Sequence, residues 1–203
     1  MMKIKYLFTL FSSLLLIGCV NSQSIQQNEK KASNVQLPVP KKLQHNGKNY
    51  YLASQQDLGT IARYFYVEKK ETLKNWKTGV ELLLDRNPEQ RSLADRIALR
   101  QKVYHANGVE QFNLYEKDNS LYSFVIYPPN ARQNNWQVDV SKGQDFVGCG
   151  FVQYQYSLKI AKNQKLNNMS KIKLIGYLRK YVIDKEMTSL AQLQYQWRCE
   201  KDH

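Results

Sequence analysis

The stretch from Val152 to Ile160 limits the possible folds more than any other. Val152, Tyr154, Tyr156, Leu158 and Ile160 alternate with Gln153, Gln155, Ser157 and Lys159. Successive side chains of a strand point to opposite faces, so this period of two predicts a strand with one face turned to a core. A second stretch repeats the pattern: Ala191, Leu193, Tyr195, Trp197 and Cys199 alternate with Gln192, Gln194, Gln196 and Arg198. It is read as a second half-buried strand. Between the two, Ser170 to about Asp184 is predicted to form a helix whose Leu174, Leu178, Tyr181 and Val182 cover the sheet.

Upstream, Lys48 to Ala53 and Thr60 to Glu68 are rich in aromatic and β-branched residues and predict a hairpin turning between Gln55 and Gly59. Glu71 to Trp76 reads as a turn of helix, with Trp76 at the edge of the core, and Gly79 to Asp85 as a buried strand. Asn87-Pro88-Glu89-Gln90 supplies an N-cap, a proline at the first helical position and a capping-box partner, so a helix is expected from there to Gly108. Leu93, Ile97 and Tyr104 form its core stripe, while Asp95, Arg96, Arg100 and Lys102 lie to the sides or outward. Val109–Glu116 and Leu121–Tyr127 predict a hairpin around a four-residue loop, and Trp136, Val138 and Val140 a short strand, with Ser141 to Asp145 turning the chain. Seven or eight mostly antiparallel strands and two helices on one face imply an α+β domain in two layers.

The N-terminal segment carries a different kind of information. Lys3 and Lys5 precede an apolar run from Tyr6 that ends in Leu16-Ile17-Gly18-Cys19, and such a run is too short for a spanning helix. It resembles the lipobox signal of bacterial lipoproteins. That resemblance implies removal of residues 1–18, lipidation of Cys19 and attachment to a membrane without crossing it, since two or three acyl chains anchor stably where one does not. Val20 stands where lipoproteins retained at the inner membrane usually carry Asp, which points to the periplasmic face of the outer membrane. Residues 19–43, mainly Gln, Asn, Ser and Lys with Pro38 and Pro40, read as a flexible tether. Residues 44–203 are then a single domain. With Cys19 committed to lipid, Cys149 and Cys199 remain as an even pair in an exported chain, and a disulfide between them is expected. Such a bridge would make the two alternating strands antiparallel neighbours.

A chain starting at Cys19 loses Lys3 and Lys5, keeping 28 of the 30 basic residues against 17 acidic ones, a net charge of about +11. That excess favours anionic neighbours: lipid or lipopolysaccharide head groups, acidic glycans or an acidic protein face. Nucleic-acid binding is not expected, because basic and aromatic residues do not interleave on one exposed strand face. His45, His105 and His203 offer no paired ligands, and HExxH, CxxC and EF-hand patterns are missing, so neither a metal nor another cofactor is expected. There is no GxSxG elbow, and Gly148-Cys149-Gly150 reads as a backbone kink rather than a phosphate loop. The sequence therefore predicts a membrane-anchored binding or assembly module for a protein or an anionic envelope component, with no catalytic residues. The rival expectation is a hydrolase of peptidoglycan or lipid, its carboxylates drawn from Glu68, Glu71, Asp85, Asp95 or Asp145.

Overall fold

The alternating segment Gly150–Ile160 (β9) lies near the middle of an eight-stranded antiparallel sheet, bordered on both sides. A computed structural model describes residues 35–131, 133–160, 166, 168–194 and 197–201, all within one compact unit, Lys31–His203. One half of the sheet is a meander of Lys42–His45 (β2), Lys48–Asp57 (β3), Ile61–Glu68 (β4) and Thr78–Asp85 (β5). The other comprises Gln111–Lys117 (β6), Ser120–Tyr127 (β7), Trp136–Phe146 (β8) and β9. The order is β2-β3-β4-β5-β9-β8-β7-β6, so the halves meet where β5 runs antiparallel to β9. The sheet curls into a half-barrel, and with its helices the domain is α+β. A separate two-residue ladder pairs Val35–Gln36 (β1) with Glu200–Lys201 (β10).

Alternation along β9 sorts the molecule into two faces. Val152, Tyr154, Tyr156 and Leu158 join Val80, Leu82, Leu84, Val138 and Val140 in the main core. That face is closed by Lys171–Leu178 (α2), which passes through a π-turn, Arg179–Ile183, into Asp184–Gln192 (α3). Leu174, Leu178, Ile183 and Leu190 supply the covering side chains, each fully buried apolar residue contributing about 1.5–3 kcal/mol. Phe151, one residue out of phase, points to the opposite face. There, with Leu114 and Leu121, it meets Leu93, Ile97 and Tyr104 of Leu93–Ala106 (α1). The two helical elements thus pack on opposite faces of the sheet.

Several local expectations are corrected. The described residues of the second alternating stretch, 191–194 and 197–199, do not form a strand beside β9: Ala191 and Gln192 end α3, and the neighbours of β9 are β5 and β8. Ile183, Glu186 and Leu190 recur at helical spacing and are all buried, which draws the chain into helix before the alternation begins. The disulfide is present, with Cα atoms 5.2 Å apart. It ties the β8–β9 turn to the segment before β10 and pairs no strands. α1 is capped by Ser92, whose side chain and that of Asp95 form a reciprocal capping box; Asn87 instead takes a left-handed conformation (φ 50°). Arg96 is buried, not outward. Glu71–Trp76 contains a single turn bond, from Asn75 N–H to Thr72 C=O, and Trp76 packs edge-on against Phe65. The β6–β7 loop has two residues, Asp118 and Asn119, both at positive φ as the twist of a tight hairpin requires. Ser141–Asp145 stays within β8. Folded structure also begins before residue 44: Val35 and Leu37 are buried, and β2 starts at Lys42. Cys19, Tyr195 and His203 lie outside the described residues.

Candidate functional site

The β4–β5 turn gathers several charges in a small space. Lys69, Lys70, Lys74 and Lys77 are all exposed there, as is Leu73. Antiparallel pairing brings the start of β3 and the end of β9 to the same end of the sheet, which adds Lys48 and Lys159. The turn's own carboxylates are already engaged. Glu68 Oε1 accepts from Lys48 Nζ at 2.8 Å and from the Thr78 hydroxyl at 2.9 Å, and Glu71 accepts from the Lys77 backbone N–H at 3.1 Å. The Lys48 hydrogen bond, followed by that from Thr78, holds Glu68 below the usual carboxylate range against its burial. Lys159 lies 3.7 Å from the centroid of the Trp76 ring, and burial lowers its pKa. Glu68, Lys69, Lys70, Glu71, Asn75 and Lys77 border an open cavity of about 370 Å³.

This turn is braced from below by a hydrogen-bond chain. Tyr156 OH lies 3.4 Å from Tyr50 OH, which is 3.0 Å from Thr78 Oγ1, the group that donates to Glu68. On the same core face, His45 bridges β2 to α3. Its Nε2 is 3.2 Å from Glu186 Oε2 and its Nδ1 is 2.9 Å from Tyr154 OH. A tautomer protonated on Nε2 lets the ring donate to the carboxylate and accept from the phenol. Asn46 Nδ2 donates to both Glu186 oxygens, at 3.1 and 2.8 Å. Burial pushes Glu186 up, but the hydrogen bonds from His45 and Asn46 outweigh it and hold the carboxyl below its ordinary value. The triad resembles an acid–base relay in composition, yet His45 and Glu186 are both about 95% buried and their work is to tie a hairpin to a helix.

The α1 face carries a second polar array. Ser123 and Ser141 hydroxyls are 2.6 Å apart on neighbouring strands. Glu81 receives three hydrogen bonds from Arg63. Asp85 binds Arg96 Nη1 at 2.5 Å while the Arg96 guanidinium lies 4.2 Å from the Phe151 ring centroid. Asp139 is different. Burial raises it to about 6, although hydrogen bonds from Gln137 and Ser157 lower it. It forms one wall of a recess of about 290 Å³ with Tyr127, Asn130, Gln133 and Gln137.

The residues singled out from the sequence are dispersed among these features. Glu68 and Glu71 belong to the lysine-rich turn, Asp85 to the Arg96 pair, and Asp95 to the α1 cap. Asp145 is raised by burial but stands apart from Asp139. His105 packs on Phe112 at the end of α1. Gly148 and Gly150 are the expected kink, both at positive φ, and a Cβ at Gly150 would approach Asp85 O to 2.4 Å. His45, set aside above as a metal ligand, acquires its partners only in the fold, and neither Glu186 nor Asp139 carries a sequence signal of its own. Among the described residues no group of three His, Cys, Asp or Glu side chains could hold a metal ion, and no helix is long and apolar enough to cross a membrane.

No solved structure matches the chain. An uncharacterized protein of Haemophilus influenzae is 39% identical over 201 residues, which covers 96% of this chain and 98% of the relative. A protein-family profile matches residues 37–195, from the segment before β2 to just past α3. The chain belongs to the family that this profile defines.

Proposed function

We propose that this protein is a lipoprotein of the bacterial envelope, attached through Cys19 at the periplasmic face of the outer membrane, whose domain binds an anionic envelope component without catalysing a reaction. The observation that supports this reading is the lysine-rich end of the sheet. Lys69, Lys70, Lys74 and Lys77 crowd one exposed turn whose two carboxylates are held by Lys48, Thr78 and the Lys77 backbone. Unpaired cations at this density create a positive potential that recruits polyanions and that salt screens. Leu73 and the Trp76–Lys159 pair add apolar and aromatic surface beside them. The Leu16-Ile17-Gly18-Cys19 motif supports the address, and the disulfide fits an oxidising compartment.

Lysines near an anionic surface contribute about 1 kcal/mol each. Lys69→Glu/Lys70→Glu/Lys74→Glu should therefore weaken binding by about 3 kcal/mol or more, roughly a hundredfold. The measurement is co-sedimentation of the mature chain, made unlipidated by Cys19→Ala, with phosphatidylglycerol-containing vesicles and with purified peptidoglycan sacculi, against phosphatidylcholine vesicles as the neutral control. Salt-sensitive binding to either anionic probe, lost in the triple variant, is the expected result. Equal binding to neutral and anionic probes, or no binding to any, would overturn the proposal.

A hydrolase is the second reading, and Asp139 with its raised pKa is the observation in its favour. It is the weaker one. General acid–base cleavage needs a second competent group, and Glu81, the carboxylate whose charge acts on Asp139, is already held by Arg63.

A further inference from the structure

We infer that the β4–β5 connection docks on an anionic phospholipid bilayer and inserts Leu73 below the head groups, a partner assignment that rests on the anion-binding function proposed above. The connection contains two successive β-turns. Glu71 N–H donates to Glu68 C=O at 2.9 Å, and Asn75 N–H donates to Thr72 C=O at 3.2 Å. The corners of a turn are the two residues between its bonded ends, here Lys69 and Lys70 in the first and Leu73 and Lys74 in the second. Three lysines and one leucine therefore hold the four corners, and all four residues are exposed.

The second turn is fixed from within the protein. Thr72 donates from both its backbone N–H and its hydroxyl to Asn75 Oδ1, at 2.7 and 2.8 Å, and Lys74 N–H donates to Thr72 Oγ1 at 3.3 Å. Leu73, 51% exposed, is thus presented from a preformed corner, which lowers the ordering cost of meeting a surface. Just after the turn, the half-buried Trp76 packs edge-on against Phe65 with ring centroids 5.3 Å apart, and Lys159 Nζ lies 3.7 Å from the indole centroid. Tryptophan and lysine together suit a membrane–water interface. There the indole takes the head-group level, and lysine stems lie along apolar surface while their ammonium groups stay in water.

The chemistry of the corners selects the partner. A single exposed leucine needs no explanation by itself. One that shares its corners with three lysines does. A soluble polyanion engages the ammonium groups and leaves Leu73 in water, whereas a wholly apolar partner covers Leu73 and strips the lysines of their hydration. A bilayer with anionic head groups satisfies both, with negative charge at the depth of the ammonium groups and hydrocarbon beneath it. The local charge agrees: Lys69, Lys70, Lys74 and Lys77 face only Glu68 and Glu71 within residues 68–77, and both carboxylates are already engaged by Lys48, Thr78 and the Lys77 backbone.

The experiment compares the mature chain carrying Cys19→Ala on phosphatidylglycerol-containing vesicles and on purified peptidoglycan sacculi. Leu73→Ser should weaken vesicle binding roughly tenfold, the scale of withdrawing much of one leucine side chain from hydrocarbon, and should leave any binding to sacculi unchanged. A nitrobenzoxadiazole probe on Leu73→Cys should shift its emission to the blue on the vesicles and gain protection from an aqueous quencher. The same probe on Leu99→Cys, an exposed position of α1, should do neither. Cys149 and Cys199 are bridged and do not compete for the label. Lysine-dependent binding to sacculi alone would overturn the bilayer assignment and leave the anion-binding function standing, whereas binding to neither would overturn both. Vesicle binding indifferent to Leu73→Ser, or a probe that reports the same surroundings at 73 as at 99, would reduce the contact to head-group adsorption and overturn the insertion.

Discussion

Cys149→Ser/Cys199→Ser is expected to lower the stability of the domain by about 4 kcal/mol and its thermal midpoint by roughly 10 °C. The bridge closes a sequence separation of 50 residues, and in the chain-entropy account a loop of that length gives the unfolded chain a penalty of about this size. The location adds a structural consequence. Cys149 is buried in the main core at the β8–β9 turn, where Gly148 and Gly150 permit positive φ. Cys199 immediately precedes β10, which pairs with β1 through only two residues. That ladder is too short to hold itself, so the covalent link keeps the C-terminal segment, and with it β1, against the sheet. Differential scanning calorimetry of the double variant checks the magnitude, and alkylation of the native protein without reductant checks the bond itself. An unchanged midpoint, or labelling of both cysteines, would contradict this assignment.

Glu186→Ala should cost about 2–3 kcal/mol at neutral pH, the scale for deleting a buried ionised acceptor and leaving its donor unsatisfied. Glu186 is 7% exposed by its side chain and holds three hydrogen bonds, one from His45 and two from Asn46. Removing it leaves the buried imidazole without its acceptor, while the exposed Asn46 carboxamide can turn to water. The pH dependence follows from the sign of the shift. The folded carboxyl is held below its ordinary value, so the folded state binds the proton less readily than the unfolded chain does. Its contribution is complete above the unfolded pKa, about 4.3, and fades as pH falls through the lowered folded value. Chemical denaturation of wild type and Glu186→Gln from neutral to strongly acidic pH should therefore show a gap that closes only in acid. A gap that is constant with pH would mean that the carboxylate's charge is not what matters.

Much of the sheet was legible because burial on one face imprints period two. The four strands β4, β5, β7 and β9 each carry enough alternating or continuous apolar residues to be read directly. The same rule failed at the start of the second alternating stretch, where Ala191 and Gln192 suit a helix as well as a strand and packing decides: Leu190 and Ile183 bind α3 to the core. The β2–β3 hairpin carries a strong local signal set in a polar context. His45-Asn46-Gly47-Lys48 is an Asn-Gly turn with positive φ at both central residues, one of the strongest local hairpin signals, but the polar residues before it resembled a tether.

The candidate sites were harder to see. His45 and Glu186 are separated by 141 positions, and Arg96 meets Asp85 only after α1 has packed over Phe151. Each charge looks solvated until the fold closes on it. The lysines of the β4–β5 turn were visible one by one, but Lys48 and Lys159 join them only because β3 starts and β9 ends at the same edge of the sheet. Asp139 sits in an alternating strand like any outward residue. What distinguishes it is a wall of loop residues that no local pattern predicts.

The central claim is that a lipid-anchored chain presents this domain in the envelope, and the most direct measurement is intact mass spectrometry of the N-terminal peptide from the native host's outer-membrane fraction. The account predicts a mature chain beginning at Cys19 whose mass includes a diacylglyceryl group and, where the amino group is acylated, one further acyl chain, with Cys19→Ala released from the membrane. A mature chain that begins elsewhere, or an unmodified Cys19 thiol, would contradict it.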